Sequence, residues 1–328
     1  MRTHWSVDPS VSLRVMLRGI PRRDHNPAPT IPRRGAPPVK SKIRGVKHIV
    51  VVASGKGGVG KSTVADSSTV MTQRDTANLA LAMLQTSPLG RPANVGLLDL
   101  DIFGPSVPKI MGLEQAGDPA LSAENKLLPL RNHGVKTMSM GYLLPPDPTG
   151  ETGVAWRGMM VMKAVQQLLF DVDWTTPTGE GSQDLDVLVI DMPPGTGDVQ
   201  LSLGQLVSVD GAVIVSTPQD VALVDARKGI IGLLLNMSHY TCTSCSTPHE
   251  LFGSSDHFVR AASDLKLSVL GKLPLVTSVS DGGDAGRPVM VQSTPEGEEV
   301  RRTMRTVGQG VWDWLDKRPV AMNVGARG

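Results

Sequence analysis

The sequence predicts an α/β protein built on a doubly wound, mostly parallel sheet. Three observations point there: short apolar runs without polar alternation, intervening segments long enough for crossover helices, and a glycine-rich phosphate-loop pattern directly after the first run. The runs are His48–Ala53, Val95–Leu100, Val187–Ile190, Ala212–Ser216, Ile231–Leu235 and Leu267–Leu273. Strands that read as continuous apolar stretches are buried on both faces, as in sheets covered by helices. Most are followed by the dozen or more residues that a parallel connection requires. At 328 residues the chain is long enough for a sizeable core. Composition divides it into a leading arm (1–44), one large domain (45–318) and a short tail (319–328).

The arm comes first. Overall the charge is nearly balanced, 33 Lys and Arg against 31 Asp and Glu. Residues 1–44 nevertheless hold ten basic residues, with Arg14, Arg18, Arg22, Arg23, Arg33 and Arg34 among them, against only Asp8 and Asp24. An Arg-rich, acid-poor start without a long apolar centre has the composition of a mitochondrial transit peptide, not of a secretory signal. Pro27, Pro29, Pro32, Pro37 and Pro38 then mark an extended linker. The remaining body is net acidic and poor in aromatic residues, which argues against nucleic acid as a partner. No apolar run approaches the ~18 residues of a spanning helix, so stable membrane insertion is not expected.

The first apolar run leads into Gly55-Lys56-Gly57-Gly58-Val59-Gly60-Lys61-Ser62-Thr63, which satisfies G-x-x-x-x-G-K-[ST]. Glycines let backbone N–H groups curl around phosphate oxygens, Lys61 reaches the β- and γ-phosphates, and the Ser62 hydroxyl is placed for Mg²⁺. A helix opening at Lys61 adds its positive dipole end. ATP with Mg²⁺ is the expected ligand.

The second run ends Asp99-Leu100-Asp101, and the third reads Val187-Leu188-Val189-Ile190-Asp191 before Pro193-Pro194-Gly195. Carboxylates at the carboxyl end of parallel strands face the ligand crevice. Four apolar residues followed by an aspartate is the Walker B form, so Asp191 is expected near Mg²⁺, with Asp99 in the same shell. Gly195 lies in a loop able to sense the γ-phosphate. Ser216–Gly229 and Asn236-Met237-Ser238 follow later strands; the Asn236 amide can both donate to and accept from a base.

The only two cysteines, Cys242 and Cys245, cannot staple a secreted scaffold. Taken alone the C-x-x-C pair fits a redox disulfide, half a zinc site completed by His249, or an iron–sulfur ligand pair. A [4Fe–4S] cluster normally takes four thiolates, and a twofold axis would supply the missing two.

Lys56, the second residue of the loop, resembles the signature lysine of the deviant Walker A class, which includes MinD, ParA and the nitrogenase iron protein. That resemblance implies a homodimer in which Lys56 reaches the partner's nucleotide, and it assigns the attacking water to Asp101. Together with Ser139-Met140-Gly141, Trp156-Arg157-Gly158, Val161–Leu169 and Phe252-Gly253, these motifs resemble the Mrp/NUBPL family of P-loop iron–sulfur carriers over roughly 45–318. The likeness implies ATP-dependent loading or transfer of a [4Fe–4S] cluster bridging two copies, with slow hydrolysis resetting the cycle. With the basic arm, it implies the mitochondrial branch and recipients such as complex I subunits. A MinD/ParA-like organiser of membrane or DNA is the main alternative, but it has no use for Cys242 and Cys245. A metabolic P-loop enzyme lacks a visible substrate motif.

Two departures from the family pattern stand out. Asp66–Thr76 is polar except for Val70 and Met71 and separates Ala65 from the apolar Ala77-Asn78-Leu79-Ala80-Leu81; removing these eleven residues restores a continuous helical pattern, as a splicing or gene-model error would leave it. The connection before Ile231 is about a dozen residues short of the family's, near the minimum for a parallel crossover. Both would impair the ATPase.

Overall fold

Each of the six apolar runs becomes a strand of one sheet. The computed structural model describes residues 40–54, 62–102, 104–143, 158–178, 181–194, 198–217, 229–242, 244–245 and 247–318, with backbone alone at 62–70, 158–159, 176–178 and 181–182. In chain order come β1 (Val46–Ser54), α1 (Ser62–Gln85), β2 (Val95–Asp99), the single turn α2 (Val107–Ile110), β3 (Leu130–Asn132) and β4 (Val135–Ser139). Then follow α3 (Gly158–Phe170), the small hairpin β5 (Thr176–Thr178) and β6 (Gly181–Gln183), β7 (Leu185–Asp191), α4 (Asp198–Leu206), β8 (Gly211–Ser216) and β9 (Ile230–Leu235). A second hairpin, β10 (Tyr240–Thr241) and β11 (Pro248–His249), precedes α5 (Ser255–Asp264), β12 (Val269–Lys272), α6 (Thr277–Asp284) and α7 (Glu298–Asp316).

The eight-stranded sheet runs β12-β9-β8-β1-β7-β2-β4-β3. Its pairings are parallel except for the edge strand β3, which runs antiparallel to β4. That hairpin escapes sequence reading because its strands are short and mixed in character. Its signal is the His133-Gly134 turn, where both residues have positive φ, the pattern of a type I′ connection.

Alternation along the central strands builds two cores. Val50, Val52, Val95, Leu97, Val187 and Val189 face α1 and α7, whereas Ile49, Val51, Leu98, Leu188 and Ile190 face the other side with α3 and α4. Successive side chains of a strand point to opposite faces, so both sets must be apolar and the runs cannot alternate. The run Leu267–Leu273 yields its first residues to a helix cap. Lys266 takes φ +59°, its N–H reaches Ser263 O, and the Leu267 N–H reaches Ala262 O at 2.9 Å, the Schellman arrangement that ends α5.

The short β8–β9 connection is compatible with parallel pairing, the register shifting by one residue between Ala212 and Val213. The eleven residues Asp66–Thr76 do not break the helix: α1 continues through them as one rod. Its C-terminal end is fixed by α7, since the Trp312 indole donates to Met83 O at 3.0 Å and so satisfies one of the last-turn carbonyls.

Candidate functional site

Strand alternation places two carboxylates on the α1 side. Asp99 and Asp191 follow Leu97 and Val189 by two residues and are paired across β2 and β7, so they stand side by side at the carboxyl end of the sheet. Ser139, paired with Asp99 from β4, donates its hydroxyl to Asp99 Oδ2 at 2.9 Å. The Asp101 N–H turns back to Asp99 Oδ1 at 2.9 Å. All three aspartates are buried. Burial, together with the neighbouring Asp101, pushes Asp99 up to about 7, and burial with the Asp99 charge raises Asp191 well above the usual carboxylate range. Acid groups crowded in a site of low polarity resist carrying adjacent charges.

One turn of α1 caps these groups. The Gln73 amide donates to Asp101 Oδ2 at 3.2 Å and to Gly104 O at 3.0 Å. The Thr76 hydroxyl meets Asp191 Oδ1 and also lies 2.8 Å from Thr72 O. A hydroxyl has a single proton to give; a protonated Asp191 carboxyl lets both contacts stand. Asp191 Oδ2, buried, has no hydrogen-bond partner among the described residues.

Asn236, directly after β9, is already engaged on both sides of its amide. It donates from Nδ2 to Asp75 Oδ2 at 2.5 Å and accepts from the Met237 N–H at 2.7 Å. Burial pushes Asp75 up to about 8 against the pull of Asn236 and Arg74. Both residues line a cavity of about 430 Å³ whose far wall is Leu273, Pro274, Leu275 and Val276.

The cysteines sit elsewhere, on the β10–β11 hairpin. Tyr240 pairs with His249 and Thr241 with Pro248, and the Cys242 N–H bonds to Thr247 O at 3.0 Å. Cys242 is half-buried, Cys245 is exposed, and both are free thiols. Cys245 Sγ lies 3.2 Å from Thr247 Oγ1. Hydrogen bonds from the Thr247 side chain and backbone, and from Cys242, hold the Cys245 thiol below its usual range. A thiol so biased towards thiolate is a better metal ligand.

A model of the ParA group described as the NUBPL iron-transfer P-loop NTPase matches residues 45–311. The chain belongs to this family. Among relatives of the NUBPL-family chain, the iron–sulfur cluster transfer protein NUBPL of Mus musculus is 44% identical over 288 residues, covering 85% of this chain and 81% of the relative. The iron–sulfur protein required for NADH dehydrogenase, mitochondrial, of Arabidopsis thaliana is 42% identical over 280 residues, covering 82% and 79%. Of solved structures, a nucleotide-binding protein in complex with ADP from Archaeoglobus fulgidus superposes with TM-score 0.58 at 28% identity, over 79% of this chain and 93% of that one. The cell division ATPase MinD of Pyrococcus furiosus, with TM-score 0.50 and 18% identity over 81% of this chain and 99% of that one, shares the fold.

Of the residues singled out from sequence, the NUBPL-family chain brings Asp99, Asp101 and Asp191 together and keeps Cys242 and Cys245 on one hairpin. Gly55, Lys56, Gly57, Gly58, Val59, Gly60, Lys61 and Gly195 lie outside the described residues, as do the side chains of Ser62 and Thr63. So do the arm before residue 40, the tail, Trp156-Arg157 and most of the Ser216–Gly229 stretch. Ser62 opens the same rod that touches Asp101 at Gln73, eleven residues later, about 16 Å along the axis at 1.5 Å per residue. The helix therefore does not bring Ser62 to the carboxylates. Gln73, Asp75, Thr76 and Ser139 are contacts that motif reading missed. The available signal was periodicity: Gln73 and Thr76 precede Ala77 and Ala80 on one helical stripe.

Proposed function

We propose that the chain is an ATP-dependent carrier of [4Fe–4S] clusters, acting as a homodimer in which Cys242 and Cys245 of each copy hold one shared cluster. The observation that carries this reading is the hairpin itself, two free thiols on one turn, Cys242 half-buried and Cys245 exposed, with Cys245 biased towards thiolate. Two thiolates per chain are half of what such a cluster takes, and a twofold axis doubles them. The names of the relatives support cluster transfer as the task.

In the nucleotide half, Lys61 and the Gly55–Thr63 backbone would hold the phosphates, with Lys56 reaching the partner's nucleotide. The carboxylate trio fits a divalent cation: Asp191 keeps a buried oxygen without a partner among the described residues, and hard oxygen donors suit Mg²⁺. Asp99 and Asp191 would hold Mg²⁺ there, neutralising charge on the phosphates; Ser62, which the motif adds to that shell, stands about 16 Å along α1 from the turn that meets Asp101. Asp101 would orient the attacking water and Asn236 the base, with Gly195 sensing the γ-phosphate. Mitochondrial delivery to apo-proteins such as complex I subunits rests on the Arg-rich arm and on the plant relative's name.

Anaerobic reconstitution with iron and sulfide tests the proposal. The expected result is about four iron per two chains, abolished by Cys242→Ser or by Cys245→Ser with the circular dichroism spectrum unchanged. Binding of zinc without iron would reject it.

A further inference from the structure

The stretch Asp66–Thr76 has a property that its polarity hides. At 3.6 residues per turn, eleven residues make three full turns plus about 20°, so they lengthen α1 by about 16 Å and leave its faces in phase. Gln73 and Thr76 consequently stand where Ser62 and Ala65 would stand if the segment were absent. The rod cannot slide to compensate, because its other end is locked. Ala77 and Leu79 to Met83 are no more than 1% exposed, the Trp312 indole holds Met83 O, and Asn78 Oδ1 accepts the Met290 N–H at 3.3 Å.

Magnesium bonds oxygen at roughly 2.1 Å, so a serine and an aspartate sharing one ion have their oxygens within about 4 Å. Here the helix meets Asp191 at Thr76, fourteen residues after Ser62, about 21 Å along the axis. No serine side chain spans that gap. Meanwhile Asp101, Asp191 and Asn236 are each bonded to a residue of this one turn, Gln73, Thr76 and Asp75.

We infer that Gln73, Asp75 and Thr76 form a built-in plug: while α1 runs unbroken, they hold the carboxylates and Asn236 in a self-capped form that does not take Mg-ATP. The plug rests on reading this end of the sheet as the nucleotide site. Mg-ATP gains access only when the segment is removed or unwound, which returns Ser62 to the level of Asp101. Cluster binding at the β10–β11 hairpin does not depend on it.

Equilibrium dialysis against Mg-ATP compares the full chain with a variant lacking residues 66–76, with iron loading measured in parallel on both. The shortened chain is expected to bind at least about a hundredfold more tightly, and iron loading to be equal. Equal nucleotide affinity overturns the plug and leaves the carrier reading standing. A folded shortened chain, checked by circular dichroism, that binds no nucleotide overturns the plug and the nucleotide assignment together, whereas failure to load iron strikes only the carrier reading. If the deletion does not fold, the full chain decides alone: no binding up to about 1 mM Mg-ATP supports the plug, and micromolar binding refutes it.

Discussion

Replacing Asp75 by asparagine should change how stability responds to pH. Asp75 is buried, bonded to Asn236, and raised by burial to about 8 from 3.8. The folded chain thus keeps a proton that the unfolded chain releases above pH 4. Because the native state binds more protons, stability falls as pH rises, by up to ~1.4 kcal/mol per pH unit between roughly 4 and 8. From pH 5 to pH 7 this one group removes about 3 kcal/mol. Asp99 and Asp191, also raised, pull in the same direction and remain in the variant. Asp75→Asn cannot ionise, so its stability should decline by about 3 kcal/mol less than the wild type over that interval. Urea unfolding of the nucleotide-free protein at pH 5, 6 and 7, followed by emission of the buried Trp174 and Trp312, measures the difference. Two chains whose stabilities fall in parallel would refute the reasoning, since Asp75 would then be charged in the folded state.

Two further substitutions probe the scaffold. Asp186 accepts two bonds from Arg91 at 2.8 Å, one from Lys47 at 2.9 Å and one from the Asn94 N–H at 2.8 Å; burial opposes its ionisation, but these donors win and hold it at about 2. Its contribution is complete above pH 4 and fades as pH falls through 2, so at pH 7 Asp186→Ala should lower unfolding free energy by about 2 kcal/mol, discounted for half-exposed partners; urea unfolding with no loss would refute it. Gly286 has φ +67° and a Cβ there would stand 2.4 Å from Gly112 Cα, whereas a Cβ on Gly90, at φ +68°, would meet none of the described residues within 4 Å. Gly286→Ala should therefore lower Tm by about 4–8 °C, clearly more than Gly90→Ala in the same calorimetric scan.

The sheet was legible because every central strand is apolar on both faces, and buried β-strands of that kind leave an unmistakable text. The β3–β4 hairpin was not, since its short edge strands need only one turn signal and a neighbour to pair with. At the site, Asp99, Asp101 and Asp191 could be named from their place after apolar runs, because strand ends must face the crevice. Gln73, Asp75 and Thr76 were hidden for a different reason. Motif spacing measures distance along the chain, whereas a helix converts extra residues into axial displacement, and only tertiary contacts reveal which turn ends beside the carboxylates. Asn236 was placed correctly at a strand end, yet its partner was a residue that reads as surface polar.

The two halves of the site are built to different standards. The carboxylates are embedded in the main fold, but the cysteines ride on a two-pair hairpin at the rim. Folding therefore does not police sulfur. If the chain works as the proposed homodimer, a subunit stripped of its thiols would fold as soundly as any other and pair with intact copies as a silent half, spoiling assemblies in proportion to its abundance instead of simply disappearing.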